Sequence, residues 1–123
     1  MATLERLTAR HFRIIRTLDL GLGAGVNVFS GRNGSGKTSL LEIIYLLGTG
    51  KSFRTSRAAD FITTQEQRAL VTGLVRESPE ALPNLLGIEK SANDTLCRID
   101  GQTVTAASEL ARHFSVVVLD AQA

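Results

Sequence analysis

The feature that most constrains this chain is an eight-residue run that fills every position of the phosphate-binding loop pattern G-x-x-x-x-G-K-[ST]. The run consists of Gly31, Arg32, Asn33, Gly34, Ser35, Gly36, Lys37 and Thr38. Apolar residues 26–29 before it predict a short strand, and residues 39–47 after it predict an apolar helix. A glycine loop between a strand and a helix surrounds an anion with backbone N–H groups, and the glycines permit a close approach. The sequence therefore predicts a site for a phosphate-bearing ligand.

Three residues of this segment have predicted roles in nucleotide chemistry. We expect Lys37 to be a catalytic residue that contacts the β- and γ-phosphates of ATP as a mobile point charge. Thr38 is the predicted metal ligand, because its hydroxyl can be placed on Mg²⁺. Ser39, at the start of the helix, completes the predicted nucleotide-binding set within the motif. The alternative is a glycine-rich turn that binds no ligand.

Length and composition place the chain among globular proteins. Its 123 residues are enough for one domain or a piece of one, and a hydrophobic fraction of 43% argues against disorder. The single cysteine, Cys97, cannot form an internal disulfide, so nothing indicates an oxidising compartment. We interpret Cys97 as a small buried strand residue; a reactive thiol is the alternative. No run resembles a signal peptide or is long enough to span a bilayer, which predicts a cytoplasmic protein without a membrane partner.

The charges are distributed unevenly along the chain, although the formal net charge is only +2. Residues 1–60 carry nine Lys or Arg and four Asp or Glu, whereas residues 61–123 carry five and eight. A basic N-terminal half is typical of a surface that binds polyanions, and an ordinary solvated face is the alternative.

Hydrophobic patterning predicts an α/β fold with a mixed sheet that has an antiparallel part. Residues 3–11 and 14–22 predict a strand pair, and a third strand is expected at 26–30. The helix is predicted from Lys37 to about Leu47, with a glycine cap near Gly50. Further strands are predicted at 68–76, 85–91, 95–100, 102–104 and 116–119, with a turn at Asp100-Gly101 and a short helix over 108–114.

Two further segments leave alternatives open. Residues 51–57 are polar and basic with one aromatic residue, which fits either a loop that contacts phosphate or DNA or a solvated loop pinned by one buried phenylalanine. Asp120 follows the apolar residues 116–119, the position of an aspartate that holds Mg²⁺ through water in many ATPases, but a strand-ending aspartate is also a common turn former.

Several segments together resemble the bacterial RecF family of recombination-mediator ATPases, which is related to SMC and ABC-type heads. They are the pattern Leu4-x-x-Leu7-x-x-x-x-His11-Phe12-Arg13, the loop 31–38, the helix 40–47, the segment Gly48-x-Gly50-Lys51-Ser52-Phe53-Arg54 and the segment 98–101. The phosphate loop is shared by many folds, whereas the Gly-x-Gly-Lys-Ser-Phe-Arg segment is much more specific. The resemblance covers the whole chain.

The resemblance implies an ATP-binding DNA clamp that acts in DNA repair, DNA replication and the SOS response to DNA damage. It implies a P-loop NTPase fold in which residues 1–123 are the N-terminal part of an ABC/SMC-type ATPase head. ATP and Mg²⁺ are the implied cofactors. The implied partners are gapped DNA, a second copy of the chain in an ATP-dependent homodimer, and other recombination-mediator proteins.

The resemblance also implies what the remainder of such a head supplies. The Walker B pair and the signature serine motif are expected beyond residue 123, so we expect weak ATPase activity in the full-length protein and none in this fragment. Asp120 then corresponds to an interior strand end, and Gln122 lies near the expected Q-loop. Arg13 is implied to reach the nucleotide from the first strand turn. The alternative function is a nucleotide switch or small-molecule kinase that shares only the loop and does not act on DNA.

Overall fold

A six-stranded antiparallel sheet with one long helix packed on it forms the framework of the computed structural model. The structure describes residues 3–13, 15–21, 35–52, 54–105 and 108–112, and within these it does not describe the side chains of 35–39 and 111. The strands are β1 Thr3–Phe12, β2 Ile15–Gly21, β3 Arg68–Arg76, β4 Asn84–Ser91, β5 Thr95–Ile99 and β6 Gln102–Val104. The helices are α1 Ser35–Thr49 and α2 Ser108–Ala111, with a 3₁₀ turn at Ala58–Asp60.

The strands are arranged in the order β2-β1-β3-β4-β5-β6. All five neighbouring pairs are antiparallel, which confirms the predicted antiparallel part of the sheet. The strands that would make the sheet mixed were predicted at 26–30 and 116–119. Both segments lie outside the described residues, so the mixed sheet stays a prediction.

The core lies between α1 and one face of the sheet, and we call this the covered face. Leu7, Ala9, Val71 and Ile88 point toward the helix, and each is at most 1% exposed. Strict alternation in β3 puts every second residue on this face, because successive strand side chains point to opposite sides. The other side of the sheet, which carries exposed charged residues such as Arg6 and Arg68, is the open face.

Glycine sets the distance between α1 and the sheet. Gly73 of β3 lies under the helix, and a Cβ atom at this position would overlap the Leu47 side chain and lie 3.0 Å from Leu4 Cδ1. The backbone of β3 can therefore approach α1 closely only because residue 73 has no side chain. Gly87, on the open face, would bring a Cβ no closer than 3.8 Å to any neighbour.

The turns explain where most predicted elements end. The strand predicted to reach residue 100 ends at Ile99, because Asp100 and Gly101 have φ values of 53° and 84° and form the two-residue turn to β6. The Asp100 carboxylate accepts hydrogen bonds from Asn84 Nδ2 and Leu85 N, both at 2.8 Å, so the turn is also tied to β4. Helix α1 runs two residues further at each end than predicted, and Gly50 closes it with φ 78° and a 2.7 Å bond from its N–H to Leu46 O.

Candidate phosphate-binding site

The motif of the phosphate loop continues directly into helix α1. The helix begins at Ser35, so Ser35, Gly36, Lys37 and Thr38 form its first turn and Ser39 follows in the second. The first N–H groups of a helix lack intrahelical partners and lie at the positive end of its dipole. The first turn carries no acidic residue that would compete for this position. The backbone of this turn therefore has the features that favour an anion.

Gly31, Arg32, Asn33 and Gly34 lie outside the described residues, as do the side chains of residues 35–39. The predicted contacts of Lys37 with phosphate and of Thr38 with Mg²⁺ therefore stay predictions. Asp120, Gln122 and Phe53 also lie outside the described part of the chain.

Arg13 lies at the turn between β1 and β2 and is directed at the middle of α1. Its Nε donates to Glu42 Oε1 at 2.7 Å and its Nη2 donates to Glu42 Oε2 at 3.0 Å. Its Nη1 donates to Asp60 O at 3.2 Å. The hydrogen bond to Glu42 raises the pKa of Arg13 above its usual value, so the guanidinium stays charged. The structure thus brings Arg13 to the helix that carries the motif, and two guanidinium hydrogens are left over from these three bonds.

The backbone around Arg13 is also fixed by the segment that follows the 3₁₀ turn. Arg13 N donates to Phe61 O at 2.6 Å, and Thr63 Oγ1 donates to Arg13 O at 2.6 Å. The Phe12 and Phe61 rings stack with centroids 5.0 Å apart, and both residues are almost fully buried. Arg13 has a φ of 54°, in the left-handed region that non-glycine residues rarely adopt. These contacts therefore hold a turn conformation that the chain would not prefer alone.

Glu42 is the residue that connects the three segments of this corner. Its side chain is fully buried, and besides Arg13 it accepts a hydrogen bond from Ser52 Oγ and one from Arg54 Nη1 at 3.4 Å. Ser52 Oγ in turn accepts the N–H of Arg54 at 2.9 Å. A buried carboxylate requires this number of donors, because an unpaired charge in the interior is costly. We call Glu42, Arg13, Ser52 and Arg54 the Glu42 cluster.

The basic loop 51–57 therefore has two kinds of cation. Arg54 is paired with Glu42 at 3.4 Å, although its side chain is 38% exposed. Lys51 and Arg57 are exposed. The loop is held by its own hydroxyls, because Thr55 Oγ1 donates to Asp60 Oδ2 at 2.6 Å and accepts the N–H of Arg57 at 3.1 Å. The loop is thus a structured connection that exposes two cations, and its two interpretations, a loop that contacts phosphate or DNA and a solvated loop, both stay open.

Sequence reasoning assigned no role to Glu42. The available signal was a single carboxylate in the run Leu40-Leu41-Glu42-Ile43-Ile44, where a charge on a buried helix needs a partner. The partner could not be identified, because Arg13 is 29 residues away in the chain. Cys97, interpreted as a small buried strand residue, is 4% exposed on β5, which agrees with that interpretation; burial raises the pKa of its thiol.

The described residues contain neither a cluster of metal ligands nor a membrane-spanning helix. In residues 3–13, 15–21, 35–52, 54–105 and 108–112, no group of three or more His, Cys, Asp or Glu is arranged to hold a metal ion. Neither α1 nor α2, the helices within those ranges, has the length and apolarity needed to cross a membrane.

Comparisons with a family model, with sequence relatives and with solved structures all indicate the same family. Residues 3–122 match the family model of the RecF/RecN/SMC N terminal domain. The DNA replication and repair protein RecF of Pseudoalteromonas translucida is 41% identical over 118 residues, which cover 95% of this chain and 32% of that protein. The RecF protein of Marinobacter nauticus is 37% identical over 125 residues, or 95% of this chain and 34% of the relative. The chain thus spans about a third of the length of these relatives.

Solved structures give the same result. The structure of the recombination mediator protein RecF with ATP, from the RecFOR pathway, matches with a TM-score of 0.80 and 30% identity over 92% of this chain and 31% of that one. The Smc head domain of Pyrococcus furiosus matches with a TM-score of 0.76 over 94% of this chain and 33% of that one; its 20% identity shows a shared fold only. Because the family model covers nearly the whole chain, the chain belongs to the RecF/RecN/SMC N-terminal domain family, and the two RecF proteins compared above by sequence are its relatives at 37–41% identity.

Proposed function

We propose that this chain is the nucleotide-binding N-terminal part of an ATPase head that closes on DNA as an ATP-dependent homodimer. The observation that carries the proposal is the continuity of the complete motif 31–38 with the N-terminus of α1, a helix anchored on the sheet by Ile43, Leu46 and Leu47. A helix held rigidly in this way supports a fixed set of N–H donors for phosphate oxygens.

ATP and Mg²⁺ fit the donor set of this segment. Backbone N–H groups at a helix start without acidic residues suit the phosphates, and Lys37 supplies the mobile positive charge. Thr38 supplies the hydroxyl oxygen that Mg²⁺ prefers as a ligand. ATP, when bound, supplies the phosphoanhydride bond whose hydrolysis would end dimerisation. The relative solved with ATP supports this choice of nucleotide.

Arg13 is proposed as an additional nucleotide contact. The side chain is 22% exposed, and its two bonds to Glu42 fix the orientation of the guanidinium plane. Bidentate pairing leaves donors on the outer edge of the fork, which can contact a phosphate or ribose oxygen without losing the carboxylate. Glu42 then acts as a positioning residue for Arg13.

The whole protein is proposed to act at gapped DNA together with recombination-mediator partners, with weak ATPase activity. Support comes from the names of the relatives, which describe DNA replication and repair proteins and a recombination mediator. The residues that complete a composite site are expected in the part of the relatives that this chain does not match. The alternative, a nucleotide switch or small-molecule kinase, predicts nucleotide binding without any effect on DNA affinity.

The decisive test of the proposed nucleotide site is Lys37→Ala in the full-length protein. We expect at least a tenfold loss of ATP affinity, because a charge-assisted hydrogen bond contributes about 1.5–3 kcal/mol. Titration calorimetry with ATP and Mg²⁺ measures the loss, and DNA binding with and without ATP distinguishes the clamp from the kinase alternative. Arg57→Ala is a matched control, because it removes an exposed cation outside the motif. Unchanged ATP affinity and hydrolysis in Lys37→Ala would contradict the proposal.

A further inference from the structure

A second cationic site lies on the other side of the loop that follows α1. A cavity of about 730 Å³ opens between loop 51–58 and the turn that joins β4 to β5. We call it the lysine cavity, and the residues that matter for its chemistry are Lys51, Arg54, Lys90, Asn93 and Asp94. Three of these five side chains are cations and one is a carboxylate.

The position of Lys90 is unusual for a lysine. Alternation along β4 places Leu86, Ile88 and Lys90 on the covered face, and the first two are at most 1% exposed. Lys90 therefore occupies the third position of a row whose first two members are buried and apolar, and it lines the lysine cavity. Burial lowers the pKa of Lys90, the Cys97 thiol opposes this shift, and the positive charge of Lys51 lowers the pKa further. Lys51 lines the same cavity, so two cations share it, and like charges repel each other.

The described residues supply these lysines with no counterion. Arg54 is paired with Glu42, but neither Lys51 nor Lys90 forms an ion pair with any carboxylate in the described ranges, including Asp94 on the opposite wall. A partly buried ammonium without a partner destabilises the fold, and a second one beside it adds repulsion. An anion between the two lysines would remove both costs.

We propose that the lysine cavity binds a phosphate group, and that its occupant in the whole protein is a phosphodiester of the DNA backbone. This inference rests on the proposed action on DNA. Lysines suit a backbone contact because they act as point charges without the fork geometry that selects a base edge. Among the described lining residues the one aromatic, Phe61, is 2% exposed and stacked on Phe12, so its ring is not available for base stacking. The contact is therefore independent of DNA sequence.

The experiment is a salt titration of DNA binding by the full-length protein saturated with ATP. Three variants are compared with the wild type: Lys51→Ala, Lys90→Met and the double variant. Methionine keeps the aliphatic length of Lys90 in the apolar row. Each lost phosphate contact should reduce the slope of log affinity against log salt by about 0.9, so the double variant should lose roughly twice that.

Matched controls separate the cavity from general charge effects. Arg98→Ala removes an exposed cation from the open face of β5 and should leave the slope unchanged. Lys90→Arg keeps the charge and should keep the slope. An unchanged slope in the double variant, or an equal reduction in Arg98→Ala, overturns the proposal. Lys51 is exposed, so Lys51→Ala decides the question even if Lys90→Met does not fold.

A second experiment distinguishes failure of the phosphate site from failure of the proposed DNA function. If the wild type does not bind DNA with ATP, the DNA function fails, and titration with inorganic phosphate followed by NMR of the Lys90 side chain decides the site alone. A saturable shift that Lys51→Ala abolishes supports a phosphate site whose source is a free phosphate ester. The absence of a saturable shift overturns the phosphate site itself.

Discussion

Both sides of the sheet carry an arginine–carboxylate pair with the same two-bond geometry. On the side of α1, Arg13 donates to Glu42 at 2.7 and 3.0 Å, and the carboxylate is fully buried. On the open face, Arg6 Nε and Nη2 donate to Asp19 at 2.8 and 2.7 Å, but these two side chains are 59% and 56% exposed.

The two pairs have the same hydrogen-bond geometry and differ in how far their side chains are exposed to water. Water screens the exposed pair and solvates either partner if the other is lost, whereas removal of one buried partner leaves a charge without compensation. We therefore expect a single substitution on the covered side to lower the stability of the protein strongly. A substitution on the open face should change the stability little.

The largest expected effect is that of Glu42→Ala. Loss of the carboxylate leaves Arg13 unpaired and three segments unconnected, so the free energy of unfolding should fall by about 3–5 kcal/mol. Chemical denaturation of the full-length protein measures this change. Leu85→Ala, at a 46% exposed position of the open face, is the control for a truncation of similar size. If Glu42→Ala loses no more unfolding free energy than Leu85→Ala, the proposed difference between the covered side and the open face is wrong.

An intermediate effect is expected when alanine replaces a glycine on each face. Gly73→Ala forces the buried Leu47 side chain to move, which should cost about 1–3 kcal/mol. Gly87→Ala places a methyl group in ordinary contact distance and should stabilise the protein by about 0.4–1 kcal/mol through the unfolded chain. In thermal unfolding, the midpoint temperature should therefore fall for Gly73→Ala and rise for Gly87→Ala. Shifts of the same sign would contradict the expected difference between the two faces.

The smallest effect is expected from Asp19→Asn. The hydrogen bond from Arg6 lowers the pKa of Asp19, so its contribution to stability is present above the ordinary carboxyl pKa and is lost as the pH falls through the lowered value. Wild type and variant should differ slightly at neutral pH and low salt, and should coincide in acid or at high salt. Unfolding curves over pH and salt test this; a difference that persists in acid would require another cause.

Much of the fold followed from local patterns. The strand pattern predicted β3 with both ends correct, and the Asp100-Gly101 pair placed the hairpin between β5 and β6. The motif likewise located the start of α1 to within two residues. These features depend on neighbours in sequence, so the sequence contains enough information for them.

The Glu42 cluster and the lysine cavity depend on residues that are distant in the chain. Arg13 meets Glu42 only because the β1–β2 turn and the segment 61–63 pack against the middle of α1. Lys90 could have been recognised as a lysine in an apolar row, but only the fold shows that it lines one cavity with Lys51. Pair contacts of this kind have no local signature.

The order of the strands in the sheet has a consequence for the order in which the protein folds. Strands β3 to β6 pair with their neighbours in the chain over residues 68–104, whereas β1 must reach β3, where Leu4 faces Val75. Short loops close at less entropic cost than long ones, and an isolated two-stranded hairpin such as β1–β2 is only marginally stable. This four-stranded segment should therefore form first and receive the β1–β2 pair and α1 afterwards. Pulse-labelled hydrogen exchange during refolding should show early protection of β4 and late protection of β2. On the ribosome, where about 5–20 residues are added each second, the phosphate loop would emerge seconds before the strands that support its helix.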